Sequence, residues 1–105
     1  MYKMDNLGNI ETTINDIVCL KLSVRNKKIF EKDKVYFILR DNDNVVFSKE
    51  LIFKQHFFYL EIDSNELVTI GEGQFEYDIV FDLFNIGKVT THKNKNFKVE
   101  GGLYV

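Results

Sequence analysis

Five apolar residues at alternate positions, Phe75, Tyr77, Ile79, Phe81 and Leu83, restrict what this chain can build. Between them stand Glu76, Asp78, Val80 and Asp82. Period two belongs to extended backbone, where successive side chains point to opposite faces; a helix would scatter these residues around its axis. Residues 17–25 repeat the pattern, with Val18, Leu20, Leu22 and Val24 on one face and Cys19, Lys21, Ser23 and Arg25 on the other. Residues 34–40 place Val35, Phe37 and Leu39 on one face and Tyr36 and Ile38 on the other. Apolar on both faces, that strand is expected at the centre of its sheet.

Weaker strands fill the intervals. Residues 10–14 form a short first strand, separated from the next by the turn pair Asn15-Asp16. Asp41-Asn42-Asp43-Asn44 reads as a hairpin loop leading into a strand over residues 45–53. Phe58, Leu60 and Ile62 share one face of a strand over residues 57–62. Asp63 with Glu66 three residues later matches a capping box, so a turn or a single helical turn is expected there. Asn85-Ile86-Gly87-Lys88 signals a second hairpin, and short strands over residues 89–91 and 97–99 close the chain. The sum is seven or eight strands with frequent turns, the pattern of a small antiparallel sandwich or barrel. At 105 residues, residues 1–105 are read as one domain, with its core over about residues 10–99.

Composition excludes several classes. The chain has 14 basic and 16 acidic residues and a net charge of −2, which argues against binding a phosphate backbone, so no nucleic acid is expected as a partner. The single cysteine, Cys19, rules out an intrachain disulfide framework and a cysteine-rich zinc site. No apolar run approaches the ~18 residues of a membrane helix, and residues 1–8 lack the apolar centre of a signal peptide. A cytoplasmic origin is therefore expected, with no membrane partner. Alanine, proline and tryptophan are absent, and arginine occurs only as Arg25 and Arg40 beside abundant lysine, asparagine, isoleucine and phenylalanine. These are residues of AT-rich codons, so the lysine excess points to a low-GC bacterial source and away from a ligand.

Candidate chemistry is sparse. His56 and His92 have no partner at a metal-ligand spacing and read as loop histidines. Cys19 lies opposite the Val18–Leu20–Leu22 face with no nucleophile signature around it. The run from Asp41 resembles the start of a calcium loop, but Val46 and Ile52 occupy the positions where that loop needs glycine and glutamate. Asp78 and Asp82 share a strand face and read as solvating charges. Gly71-Glu72-Gly73 lacks the third glycine of a nucleotide loop. Lys27-Lys28 and Lys93-Asn94-Lys95 read as solvated loops. No catalytic constellation, cofactor or metal is expected. In the run Phe57-Phe58-Tyr59, Phe58 belongs to the core face, while Phe57 and Tyr59 point the other way, as an interface or as a second buried face.

Three stretches resemble a family. Residues 15–24 follow a polar turn with an alternating strand. Asp33-Lys34-Val35-Tyr36-Phe37-Ile38-Leu39-Arg40 looks like an Asp-led strand ending in a basic residue. Residues 66–79, from Glu66-Leu67 through Gly71-Glu72-Gly73 to Phe75-Glu76-Tyr77-Asp78-Ile79, lead into a hairpin ending Gly87-Lys88-Val89-Thr90-Thr91. Together they resemble the immunoglobulin-like sandwiches of bacteriophages and prophages, in particular the N-terminal domain of the phage baseplate upper protein family. Members often carry a proline before the last strand; this chain has none.

The resemblance implies an immunoglobulin-like sandwich. It implies a structural corner of Leu67, Gly71, Gly73, Phe75 and Tyr77, similar to a tyrosine corner, with Phe75 or Tyr77 in the aromatic place. It also implies a non-enzymatic virion protein, made in the bacterial host cytoplasm, that docks onto other tail or baseplate proteins, with a homo-oligomer as a further expected partner. Expected contact residues are Met1, Tyr2, Lys3, Met4, Phe57, Tyr59, Leu103, Tyr104 and Val105. The alternatives are a capsid decoration protein, or a carbohydrate- or surface-binding module stacking Tyr59 or Tyr36 on sugar rings.

Overall fold

The computed structural model describes residues 2–23, 32–84 and 86–101. Among the described residues, nine strands and one short helix follow in the order β1 (Lys3–Met4), β2 (Ile10–Thr13), β3 (Val18–Leu22), β4 (Lys34–Asp41), β5 (Asn44–Glu50), β6 (Ile52–Lys54), β7 (Phe57–Ile62), α1 (Ser64–Ile70), β8 (Gly73–Leu83) and β9 (Gly87–Glu100). They form a sandwich of a six-stranded sheet, β1-β2-β9-β8-β4-β5, and a three-stranded sheet, β3-β7-β6. Strands β9-β8-β4-β5 of the large sheet and β3-β7-β6 of the small one make an all-β sandwich.

The arrangement differs from the sequence expectation in five places. β1 is a two-residue edge strand with no alternation to mark it. The sheets are antiparallel except that β2 runs parallel to β9, pairing Ile10 with Phe97 and Thr13 with Glu100. Residues 45–53 are two strands in different sheets. The chain crosses over at Leu51, which is buried and donates its N–H to the Val35 carbonyl at 2.8 Å. Residues 64–70 form a full short helix. The two expected C-terminal strands are one strand of 14 residues, β9. Its middle lacks apolar alternation because residues 87–96 pair with β8 alone, so the hairpin supplies the strand and no buried face is needed.

Two bulges shape β9. Tyr77 lies opposite Lys95, Ile79 opposite His92, and Val80 opposite Thr90, so β9 carries extra residues on both sides of His92. Asn94, with φ 54°, takes the left-handed conformation that bulges use. Beside it, Asp78 Oδ1 accepts from the Asn94 N–H at 2.8 Å and from the Arg40 guanidinium at 3.1 Å. Asp78 is therefore held in a polar knot on the outer face of the large sheet, a correction to its reading as a solvating charge.

The core is the inner row of each sheet. Val35, Phe37, Leu39, Tyr77, Ile79 and Phe97 from the large sheet meet Val18, Phe58, Leu60 and Ile62 from the small one. Phe37 stacks on Tyr77 at 5.2 Å between ring centroids, and Phe97 meets both rings edge-on. Such pairs contribute about 0.5–1.5 kcal/mol each beyond their buried area.

Helix α1 follows from its sequence. Asp63 Oδ1 accepts from the Glu66 N–H at 2.8 Å, and Glu66 Oε1 accepts from the Asp63 N–H at 3.1 Å. This capping box satisfies two donors that a helix start leaves open. Gly71, at φ 85°, ends the helix and donates its N–H to the Leu67 carbonyl. Glu66 also accepts from Lys49 Nζ at 2.8 Å. Lys49 sits on edge strand β5 and points inward, a charge that hinders pairing of that edge with another strand.

Candidate functional site

The outer face of the three-stranded sheet gathers the expected contact residues Phe57 and Tyr59. Both alternate outward from β7 because Phe58 and Leu60 point into the core. Both are half-buried, with ring centroids 6.4 Å apart. Lys21 on β3 covers them, its Nζ 4.0 Å from the Phe57 centroid and 6.0 Å from that of Tyr59, in cation–π range. Ile52 on β6 pairs with Tyr59 and is 67% exposed. Cys19, exposed, lies opposite Glu61 on the same face. The face is an apolar centre of Ile52, Phe57 and Tyr59 rimmed by Lys21, Lys54 and Glu61.

On this face a depression of about 420 Å³ is lined by Ile52, Lys54, Gln55, Tyr59 and Glu61. The two-residue turn beside it holds Gln55 at φ 53° and His56 at φ 71°. Two consecutive positive φ values define the type I′ hairpin turn, which favours Asn-Gly. Gln-His adopts it under backbone strain.

The expected terminal contacts divide. Met1, Leu103, Tyr104 and Val105 lie outside the described residues. Met4 is 43% exposed on edge strand β1 beside exposed Lys3. Tyr2 packs against the core, and its hydroxyl donates to the Cys19 carbonyl, strapping the N-terminus of one sheet to β3 of the other.

Of the expected corner residues, Tyr77 aims its hydroxyl away from the corner. Leu67 is the fully buried residue of α1, Gly71 caps the helix, Gly73 opens β8, and Phe75 is buried on the inner row. Tyr77 is the aromatic with the polar handle. Its hydroxyl donates to the carbonyl of Gly8, in the β1–β2 turn rather than the β7–β8 corner. Gly8 has φ 91°, and a Cβ there would stand 3.3 Å from the Tyr77 hydroxyl oxygen, so the contact calls for glycine. Burial pushes the Tyr77 phenol up to about 12, with the Asp5 charge adding to it.

His92 covers this buried contact, its ring 6.4 Å from that of Tyr77 and nearly parallel. Burial, and then the charge of Lys95, holds its pKa below the usual histidine value. The sequence reading of His92 as a loop residue is corrected to a half-buried strand position; the bulges beside it hide that from any alternation test. His56 stays in a turn, and Cys19 is on a different sheet from His92. Among the described residues no group of three or more His, Cys, Asp or Glu side chains is placed to hold a metal.

A second depression, of about 380 Å³, lies at the β1–β2 turn and includes Asp5, Asn9, Gln74 and Lys98. Its polar groups hold the turn itself. Asp5 Oδ1 accepts from the Leu7 and Asn9 N–H groups, each at 2.9 Å, and Asn9 Oδ1 accepts from the Asn96 N–H at 3.1 Å. The hydrogen bonds from Asn9 hold the Asp5 carboxyl below the ordinary carboxylate value.

Long-range polar contacts hold this fold together. Buried Asp33 accepts from the Phe84 N–H at 2.7 Å, Arg40 and Asp78 form the knot at the bulge, and Tyr77 pins Gly8. Among the described residues no helix is long and apolar enough to cross a membrane. No family model matches this sequence, and no curated protein matches it.

Proposed function

We propose that this is a non-enzymatic virion protein of a bacteriophage or prophage, a tail- or baseplate-associated sandwich that docks onto other particle proteins. The observation that carries the docking part is the outer face of the three-stranded sheet. There Phe57, Tyr59 and Ile52 form an apolar centre inside a charged rim. Protein interfaces have this anatomy, with aromatic anchors at the centre and polar groups around them. The virion part rests on the resemblance of residues 15–24, 33–40 and 66–91 to the phage sandwich family. Each copy would contribute one modest interface, multiplied by particle symmetry.

The test is co-sedimentation with particles induced from the source strain. The chain is expected to pellet with intact particles at a fixed ratio, and Phe57→Lys is expected to leave it in the supernatant. Wild-type chain that stays in the supernatant while particles pellet defeats the reading.

A further inference from the structure

We propose that the depression beside Tyr59 is a saccharide-binding site that takes one neutral pyranose ring of a polysaccharide. A pyranose has an apolar face of C–H groups and a periphery of hydroxyls that each donate and accept. The depression offers the complement. Ile52 and Tyr59, paired across β6 and β7, form an apolar floor. Glu61 lies at one end of that floor, and Lys54 and Gln55 at the other. A carboxylate accepts, an ammonium donates and an amide does both, which matches hydroxyls at both ends of a ring. The volume, about 420 Å³, falls within the ~300–1,000 Å³ of small-ligand sites. One acid against one base favours a neutral ligand over an anionic polymer.

The neighbouring turn is the independent observation. Gln55 and His56 hold φ 53° and 71°, a conformation that Asn-Gly would adopt with less strain. Strained backbone of this kind gathers at ligand-contacting positions. Here the strained residue Gln55 lines the depression. This inference goes beyond particle docking; Ile52 and Tyr59 belong to both surfaces, so a saccharide on them and a particle protein on the same face exclude one another.

The isolated, isotope-labelled chain is titrated by NMR with maltotetraose, cellotetraose and tetra-N-acetylchitotetraose at millimolar concentration. At least one sugar is expected to shift the amide signals of Ile52, Lys54, Gln55, Tyr59 and Glu61. Tyr59→Ala and Glu61→Gln are each expected to weaken that binding about tenfold, a change of about 1.4 kcal/mol. Tyr59→Phe, which keeps the ring, retains it. Glu61 is exposed, so its substitution tests the site without a folding defect. If none of the three sugars moves these amides, or binding survives both Tyr59→Ala and Glu61→Gln, the proposal is overturned. The particle reading is unaffected by that result, since sedimentation tests it separately.

Discussion

Tyr77 and Tyr59 both stand on central strands of their sheets, the first pointing into the sandwich and the second out of it. Around Tyr77 every demand is met. The ring lies between Phe37 and Phe97, the hydroxyl is spent on the Gly8 carbonyl, and His92 covers the contact. Around Tyr59 the same chemistry is left open. The ring is half-buried, its strand neighbour Ile52 is 67% exposed, and a strained turn stands alongside. A side chain that is fully satisfied inside the monomer serves folding. One held in place and left partly uncovered is available to something else.

The largest expected effect tests that contrast directly. Tyr77→Ala removes a fully buried ring and is expected to cost about 3–5 kcal/mol, by analogy with Phe→Ala in cores. Tyr59→Ala is expected to cost under about 1 kcal/mol, as partly exposed positions do. Urea unfolding of both variants measures the difference. Equal costs would make the outer face structural and remove the argument for a ligand or partner there. Tyr77→Phe separates ring from hydroxyl. It strands the buried Gly8 carbonyl and is expected to cost about 1–3 kcal/mol.

A smaller effect belongs to the junction of the sheets. Glu66 closes the capping box and accepts from Lys49, whose ammonium also reaches the Glu61 carbonyl at 2.6 Å. Glu66→Ala is expected to cost about 1–2 kcal/mol, mostly the helix cap, since the ion pair is partly exposed. Lys49→Met keeps the cap and is expected to cost less. If Lys49→Met proves the costlier of the two in thermal unfolding, the ion pair outweighs the cap.

The sequence declared the sealed region better than the open one. Alternation from Phe75 to Leu83 marked the inner row, and Asp63 with Glu66 marked the helix start, because both signals are local. Long-range pairings left no such trace. The Tyr77 hydroxyl bonds a residue 69 positions away, and the parallel β2–β9 pair joins opposite ends of the chain. β9 reads as two pieces because residues 92–96, His-Lys-Asn-Lys-Asn, pair with β8 alone and carry no apolar alternation. On the open face, Phe57 and Tyr59 were visible as outward residues. Ile52, Gln55 and Glu61 were not, since only the pairing of β6 with β7 and of β7 with β3 brings them together.

The open face yields a gain where the sealed one yields losses. Gln55→Asn with His56→Gly installs the residues that a type I′ turn favours. The double variant is expected to be more stable by about 1 kcal/mol, since L-residues in this conformation cost on that order. An unchanged or lowered midpoint in urea would mean that Gln55 and His56 make compensating contacts and that no strain is stored for binding.

The smallest effect is a pH dependence confined to the cover of the sealed cluster. His92 has a folded pKa held below 6.5 by burial and then by Lys95. Between the folded and unfolded values the unfolded chain binds more protons, so stability rises with pH across that window. The His92 contribution is complete above 6.5 and is lost as pH falls through the folded value. The Asp5 carboxyl acts lower, since hydrogen bonds from Asn9 hold it below 3.8, and its contribution disappears only in stronger acid. His92→Gln is therefore expected to flatten the stability profile just below 6.5 while leaving the acid limb below 3.8 in place. A wild-type profile already flat below 6.5 would show that His92 opens to solvent at little cost, and that the cover over Tyr77 is looser than its ring packing implies.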